Sequence, residues 1–236
     1  MATAPAYRNH SVQKNDVATA APSVAMPTGT VDGDILILWL TMDASALNTV
    51  TLPSGFTLRR TASTSAPADV QSVHLATKVA SSETGPYACT LNGGAVRNTL
   101  IVVSYSGADT GVPLTSINST NTNTGDPTTA TATAITTVST DNRIINFTAS
   151  DDTGGTTAIT QPAGYTERYD SAGGVGDATE FSDIAQAAIG STGAVTSQII
   201  GGTQVAWLVG MVALAPLSGG GGGGAGARNR LLLGAG

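Results

Sequence analysis

Charge is scarce in this sequence of 236 residues. Charged side chains make up 11% of it, the formal net charge is −6, and Lys14 and Lys78 are the only lysines. Proteins that bind DNA or RNA neutralise phosphates with clustered lysine and arginine, and this chain has no such cluster. The composition therefore excludes an electrostatic nucleic-acid site, and it argues equally against a basic membrane-surface site.

Metal-ligating and nucleophilic side chains are also few. Cys89 is the only cysteine, which excludes an internal disulfide and a cysteine-based zinc site. The two histidines are His10, in a polar N-terminal segment that we expect to be mobile, and His74, in an alternating strand. Neither has the converging partners that a serine triad or a histidine zinc site needs. We expect no cofactor, no metal, and an inert Cys89 within a strand.

Long apolar runs and helical periodicity are missing. The longest apolar runs, residues 35–40 and 205–214, are far shorter than the roughly 20 residues of a membrane-spanning helix. Residues 1–15 lack the apolar centre of a secretory signal, so we expect synthesis in a cytoplasm without export. No membrane insertion is expected.

What is present favours β-structure. Threonine and valine favour half-buried strands, and glycine and asparagine favour tight turns. Short apolar runs bounded by turn residues, without intervening helices, predict an all-β fold. We expect an antiparallel β-sandwich of jelly-roll or immunoglobulin-like type. The clearest predicted strands are residues 35–41, 70–79, 99–105, 143–149, 184–189 and 205–214.

An internal repeat organises residues 1–217 into halves of about 15–110 and 120–217. The halves are either tandem immunoglobulin-sized sandwiches or parts of one larger sandwich. The stretch 109–133 is polar like a linker, but apolar residues interrupt it, which favours one compact sandwich. Three blocks match in order: GDILILWLTMDAS from Gly33 with DNRIINFTASDDT from Asp141, 108 residues later; LPSGFTLRR from Leu52 with QPAGYTERY from Gln161, 109 later; and HLATKVASSETGPY from His74 with DIAQAAIGSTGAV from Asp183, 109 later.

The second block predicts a pair of type II turns. Pro53 and Pro162 suit the second position of such a turn, and Gly55 and Gly164 supply the positive φ that follows.

Beyond residue 217 the composition changes. Six consecutive glycines, 219–224, predict a flexible tether because glycine has the most backbone entropy to lose. The cationic and apolar residues after it predict a docking tail, 218–236, that inserts into a neighbouring subunit by strand addition. The alternative is a disordered C-terminus. The docking residues are Arg228, Arg230, Leu231, Leu232 and Leu233.

Acidic pairs are the one enzymatic signal, since glycosidases use two carboxyl groups. Asp151 and Asp152 precede Thr153-Gly154-Gly155 and indicate a turn, and with Asp177 they lack the alternating acids of a calcium loop. Aromatic residues that stack on sugars make up only 4%, and Trp39 and Trp207 fit the core, so we expect no enzyme. The candidate pairs are Asp151 with Asp152, Glu167 with Asp170, and Glu180 with Asp183.

The order of turns and strands resembles the β-sandwich virion structural proteins of tailed bacteriophages, of the minor tail, tail-fibre-associated or capsid decoration type. The pattern is GDIL from Gly33, PSGF from Pro53, Thr84-Gly85, SYSGA from Ser104, and a glycine run before an Arg/Leu tail. It covers residues of about 15–217 and carries over no catalytic residue.

The resemblance implies a virion structural protein at the particle surface, most simply a minor tail or tail-fibre-associated protein. Its partners are then other virion proteins, further copies of itself in a homo-oligomer, and a host surface glycan or receptor. The alternatives are a capsid decoration protein and a polysaccharide-binding module or depolymerase.

Overall fold

Strands form all the regular structure in the part of the chain that is described. The computed structural model contains antiparallel strands and, within that part, no helix, which confirms the predicted all-β antiparallel fold. The residues described are 3–44, 48–64, 70–117, 121–124, 128–152, 157–171, 176–201 and 204–217.

The first half forms one large sheet and two small ones. Its strands are β1 (Ala6–Thr19), β2 (Ser23–Val24), β3 (Ile35–Ala44), β4 (Val50–Thr51), β5 (Thr57–Ser63), β6 (Val70–Val79), β7 (Tyr87–Ala88), β8 (Thr90–Leu91) and β9 (Val96–Ser106). The large sheet has the order β1-β9-β3-β6-β5, while β2 pairs with β7 and β4 pairs with β8.

The second half follows the same plan. Its strands are β10 (Leu114–Ile117), β11 (Asn121–Thr124), β12 (Thr129–Ala132), β13 (Thr136–Thr137), β14 (Asn142–Asp152), β15 (Ala158–Thr160), β16 (Thr166–Asp170), β17 (Gly176–Gln186), β18 (Gly190–Ser191), β19 (Val195–Ile200) and β20 (Gln204–Leu214). The large sheet has the order β10-β20-β14-β17-β16, and β11 also pairs with β20. The small sheets are β12-β19-β15 and β13-β18.

The two large sheets correspond strand by strand, because β9-β3-β6-β5 and β20-β14-β17-β16 have the same order of connection. Trp39 of β3 and Phe147 of β14 occupy equivalent places, 108 residues apart, as the first sequence match requires. The rings of these two residues stack on each other, with centroids 4.4 Å apart and an interplanar angle of 11°. The halves therefore meet through the same face of each large sheet.

The third sequence match has the wrong register. His74 lies opposite Leu40 on β3, and Glu180 lies opposite Thr148 on β14, while Leu40 and Thr148 are 108 residues apart. Glu180 is therefore the equivalent of His74, at an offset of 106, and Asp183 is three residues too far along. The match was based on alanine and threonine, which recur too often to fix a register.

Three apolar cores fill a stack of four layers. The central core lies between the two large sheets, and an outer core lies between each large sheet and its small sheets. Alternation along a strand explains this arrangement, since successive side chains of β3 point to the central core and to the outer core in turn. Residues that form the central core include Ile35, Ile37, Trp39, Ile101, Val103, Ile145, Phe147, Phe181, Leu208 and Val212.

Five of the six predicted strands are confirmed, within β3, β6, β9, β14 and β20. The sixth, residues 184–189, is wrong beyond Gln186, where β17 ends. The amide Nε2 of Gln186 donates to the carbonyl oxygens of Ala188 and Gly190, which closes a turn at this point. Ile189 is consequently exposed rather than in a strand.

The predicted pair of turns is present in both halves. Phe56 N–H donates to the Pro53 carbonyl at 3.2 Å, and Tyr165 N–H donates to the Pro162 carbonyl at 3.1 Å. Proline thus occupies the first position of each turn rather than the second. Gly55 and Gly164 have φ of 83° and 85°, as a type II turn requires at its third position.

Candidate functional site

The predicted docking residues Arg228, Arg230, Leu231, Leu232 and Leu233 lie outside the described residues. The described chain ends at Leu217, whose N–H donates to the Gly107 carbonyl at 2.7 Å. Pro216 forms a β-bridge with Ala108, directly after β9. Because Ser106 pairs with Ala6, the tail leaves the body beside the start of β1.

Strand β1 is a long outer edge of the first large sheet. It has 14 residues and, among the described strands, one partner, β9. The pairing runs without interruption from His10 opposite Val103 to Asn15 opposite Asn98. An edge of this length presents a row of backbone donors and acceptors to which another strand can pair. Register shifts near Asn9 and Thr19 and the charged Lys14 limit that pairing at the ends.

The expectation of a mobile segment around His10 is wrong. His10 lies in β1, and its ring packs edge-on against Phe181 of β17, with centroids 5.4 Å apart. Its Nδ1 shares a hydrogen bond of 2.6 Å with the Tyr7 hydroxyl, and burial lowers the pKa of His10. Aromatic contacts with the second half therefore order a strand whose own sequence is polar.

The pair Glu180 and Asp183 is split between two faces of the second large sheet. Both are on β17, and a separation of three residues places their side chains on opposite sides. Asp183 points to the central core, where it accepts a hydrogen bond from Tyr105, while Glu180 points to the small-sheet side. The two carboxyl groups therefore cannot act on one substrate.

Asp183 holds the halves together through charged hydrogen bonds. It is fully buried and accepts from Arg168 Nε at 2.9 Å, from Arg168 Nη2 at 3.0 Å and from Arg143 Nη1 at 3.2 Å. The Tyr105 hydroxyl of the first half donates to it at 2.8 Å. Burial and the Asp183 carboxylate raise the pKa of Tyr105, so the phenol stays protonated and continues to donate. Tyr7 of β1 covers this cluster, with its ring centroid 4.4 Å from the Arg168 guanidinium carbon.

Glu180 is a buried carboxyl in a polar pocket of the second outer core. Asn146 Nδ2 donates to Glu180 Oε2 at 3.3 Å and to Ser197 Oγ at 3.2 Å, and the Thr148 hydroxyl lies 2.9 Å from that of Ser197. Burial raises the pKa of Glu180 to about 8, and the nearby Ser182 hydroxyl only partly opposes this shift. Glu180 is thus protonated at neutral pH.

The first half is apolar at the same places. Leu38 stands where Asn146 stands in the second half, and Ala76 stands where Ser182 stands. The position of Glu180 is taken by His74, which is buried and whose pKa burial lowers. The fold therefore does not need polar groups at these positions, and the second half carries them in addition to it.

Glu167 and Asp170 lie on β16 beside Glu180, since Asp170 pairs with Glu180 in the sheet. Burial, with the Glu167 charge, raises the pKa of Asp170 to about 6. Glu180 is fully buried, so a substrate cannot reach it, whereas Glu167 is exposed. A glycosidase needs both carboxyl groups at the scissile bond, and these three do not share an accessible cleft.

The Asp151-Asp152 pair is not in a turn as predicted. Both residues belong to β14, and Asp151 is buried opposite the backbone of Asp177. The side chains of Asp152 and Asp177 lie outside the described residues. Among the residues that are described, no group of three or more His, Cys, Asp or Glu is placed to hold a metal ion.

Trp39 and Trp207 belong to cores, as predicted: Trp39 to the central core and Trp207 to the second outer core. Cys89 is buried, although it lies between β7 and β8 rather than in a strand. Burial raises the pKa of the Cys89 thiol to about 12, which keeps it un-ionised and unreactive.

Comparisons of the chain with family models, with curated proteins and with solved structures found no match. Within the described residues, no helix has the length and apolar character to cross a membrane.

Proposed function

We propose that the chain is a non-enzymatic structural protein of a tailed-bacteriophage virion, a minor tail or tail-fibre-associated protein at the particle surface. The observation that carries the proposal is the free outer edge of β1, with the C-terminal tail leaving the body beside it. A long open edge and a tail next to it suit assembly with other copies and with other virion proteins by strand addition.

The arrangement of ionisable groups supports a non-enzymatic role. Among the described residues, the buried carboxyl groups of Glu180 and Asp183 face opposite sides, and His10 and His74 lie in separate cores. Asp183 is committed to Arg143 and Arg168. Groups used in this way stabilise the fold and are not free for acid–base chemistry.

The sequence of the tail supports docking between subunits. Arg228 and Arg230 carry charge, and Leu231, Leu232 and Leu233 form an apolar end that is unfavourable in water unless a partner covers it. The body contains β1 as an edge that accepts such a strand, so a tail of one copy pairs with a body of the next. Synthesis in the host cytoplasm, without nucleic-acid or membrane partners, fits the charge and the apolar runs.

Copy number and position in purified particles test the assignment. Quantitative mass spectrometry with antibody labelling in electron micrographs should find a few copies at the tail. Hundreds of copies on the shell would identify a capsid decoration protein instead, and absence from particles would refute a virion role.

Tail variants test the mode of assembly. Deletion of residues 219–236, and full-length chains in which Leu231, Leu232 and Leu233 are serine, should fold normally but enter particles poorly. Circular dichroism and thermal melts check the fold. A full-length chain with Arg228→Gln and Arg230→Gln separates the charged contribution from the apolar one. Normal incorporation of both the deletion and the serine variant would contradict docking by the tail.

A further inference from the structure

Two equivalent arginines of the repeat meet different partners. Arg59 and Arg168 both lie at a register shift between the edge strand and its neighbour, on β5 and β16. Arg168 is held by the Asp183 carboxylate on β17. Arg59 Nε donates instead to the Thr77 hydroxyl on β6 at 2.7 Å, and Thr77 occupies the place equivalent to Asp183. The first half therefore has the guanidinium of this pair without the carboxylate.

The residues that cover the two arginines differ as well. In the second half the ring of Tyr7, which pairs with the end of β9, lies over Arg168. In the first half the corresponding residue is Leu114, which pairs with the end of β20. No aromatic ring of the described residues lies over Arg59, and the connection 110–113 passes beside it.

An open cleft results at this place in the first half. Its volume is about 330 Å³, and its lining includes Arg59 and the hydroxyl-bearing Thr57, Thr77 and Thr110. The second cation of the lining, Lys78, is already neutralised. Its Nζ lies 2.8 Å from a carboxylate oxygen of Glu83 and between the rings of Phe56 and Tyr87. Arg59 forms no ion pair with a described residue, so the cleft contains one uncompensated positive charge.

We propose that this cleft binds the carboxylate of an acidic sugar, such as a uronic acid, with Arg59 as the anchor. The terminal nitrogens of Arg59 remain free for the parallel pair of hydrogen bonds that a carboxylate accepts. A single positive charge matches a carboxylate better than a phosphate dianion. The threonine hydroxyls match the hydroxyl groups of a sugar ring, and the volume is at the lower end of the range for small-molecule sites.

The inference rests on the proposed virion-surface role for the source of the ligand, an acidic glycan of the host surface. The carboxylate site itself rests on the comparison of the two halves. Binding is measured on the purified chain, so failure to bind leaves the virion assignment intact, and absence from particles leaves the cleft assignment intact.

Titration of the full chain with sodium glucuronate, followed by calorimetry or by NMR chemical shifts, tests the site. We expect a dissociation constant on the order of millimolar, as is usual for a single sugar with few contacts. Glucose, which lacks the carboxylate, should bind at least about tenfold more weakly, the effect of losing a charged hydrogen-bonded pair.

Two variants of the cleft sharpen the test. Arg59→Gln removes the anchor, and Thr77→Asp restores the carboxylate that the second half has in Asp183, so both should lower affinity at least about tenfold. Thr77→Asp should do so without lowering the melting temperature, because it satisfies Arg59 internally. Arg97→Gln is the control, since Arg97 is an exposed arginine outside the cleft, and it should leave affinity unchanged.

Three results would overturn the proposal. One is glucuronate binding that persists in both Arg59→Gln and Thr77→Asp. Another is equal binding of glucose and glucuronate. The third is binding of a glutamate-containing peptide in place of glucuronate, which would identify a protein ligand rather than a saccharide.

Discussion

Replacing Glu180 with glutamine should stabilise the protein at neutral pH. Glu180 is fully buried, and burial raises the pKa of its carboxyl to about 8 from an ordinary 4.5. Glutamine has the same shape and cannot ionise. Its amide oxygen can still accept the hydrogen bond that Asn146 donates to Glu180 Oε2 at 3.3 Å.

The sign of the effect follows from the shift. A pKa raised on folding means that the folded chain keeps a proton that the unfolded chain releases between pH 4.5 and about 8. The free energy of unfolding therefore falls as the pH rises through this window. Each pKa unit corresponds to about 1.4 kcal/mol, so Glu180 lowers stability by about 3 kcal/mol at pH 7 and by less than about 1 kcal/mol at pH 5. Glu180→Gln removes this loss.

Urea denaturation followed by tryptophan fluorescence at pH 5 and pH 7 measures the effect. The gain in unfolding free energy should be about 3 kcal/mol at pH 7 and should largely vanish at pH 5. Glu167→Gln, an exposed acid on the adjacent strand, is the matched control and should change stability by less than about 0.5 kcal/mol. A variant that is no more stable at pH 7, or equally stabilised at both pH values, would refute the reasoning.

Three further outcomes are expected. Gly164→Val should destabilise by about 1–3 kcal/mol in thermal or urea melts, because the turn requires φ of 85° there, whereas the exposed neighbour Ala163→Val should cost little. Asp183→Asn should cost about 3 kcal/mol because it leaves buried arginine charge unmatched, and Arg97→Gln at the 3.8 Å surface pair should cost under about 1 kcal/mol; equal losses would contradict this. Cys89, with a pKa of about 12, should react with a maleimide at pH 7 only after unfolding, and rapid labelling of the folded chain would contradict its burial.

The strands could be predicted from the sequence because each has a buried apolar run between turn residues. The first two repeat matches have the correct register because they include features with one structural meaning, the Gly33-Asp34 start and the turns at Gly55 and Gly164. The third match had no such feature. Without a turn glycine to fix it, the alignment moved by three residues along a stretch of alanine and threonine.

The charged cluster could be predicted only in part. Strand alternation alone separates Glu180 from Asp183, because side chains three residues apart on a strand face opposite sides. The second repeat match also aligns Arg59 with Arg168, a signal available in the sequence that was not used. The partners of Arg168 come from strands distant in the chain, and no local pattern indicates them. The order of His10 likewise depends on a pairing with β9, since the polar sequence of β1 lacks the alternation that predicts a strand.

The stacking of Trp39 on Phe147 joins equivalent faces of the two halves, as in a symmetric dimer whose two copies share one polypeptide. Two unlinked copies would separate on dilution. A covalent connection turns their association into a unimolecular step, with an effective concentration on the order of millimolar. The cohesion of this pair is therefore independent of how many molecules are present, which suits a component that works in few copies.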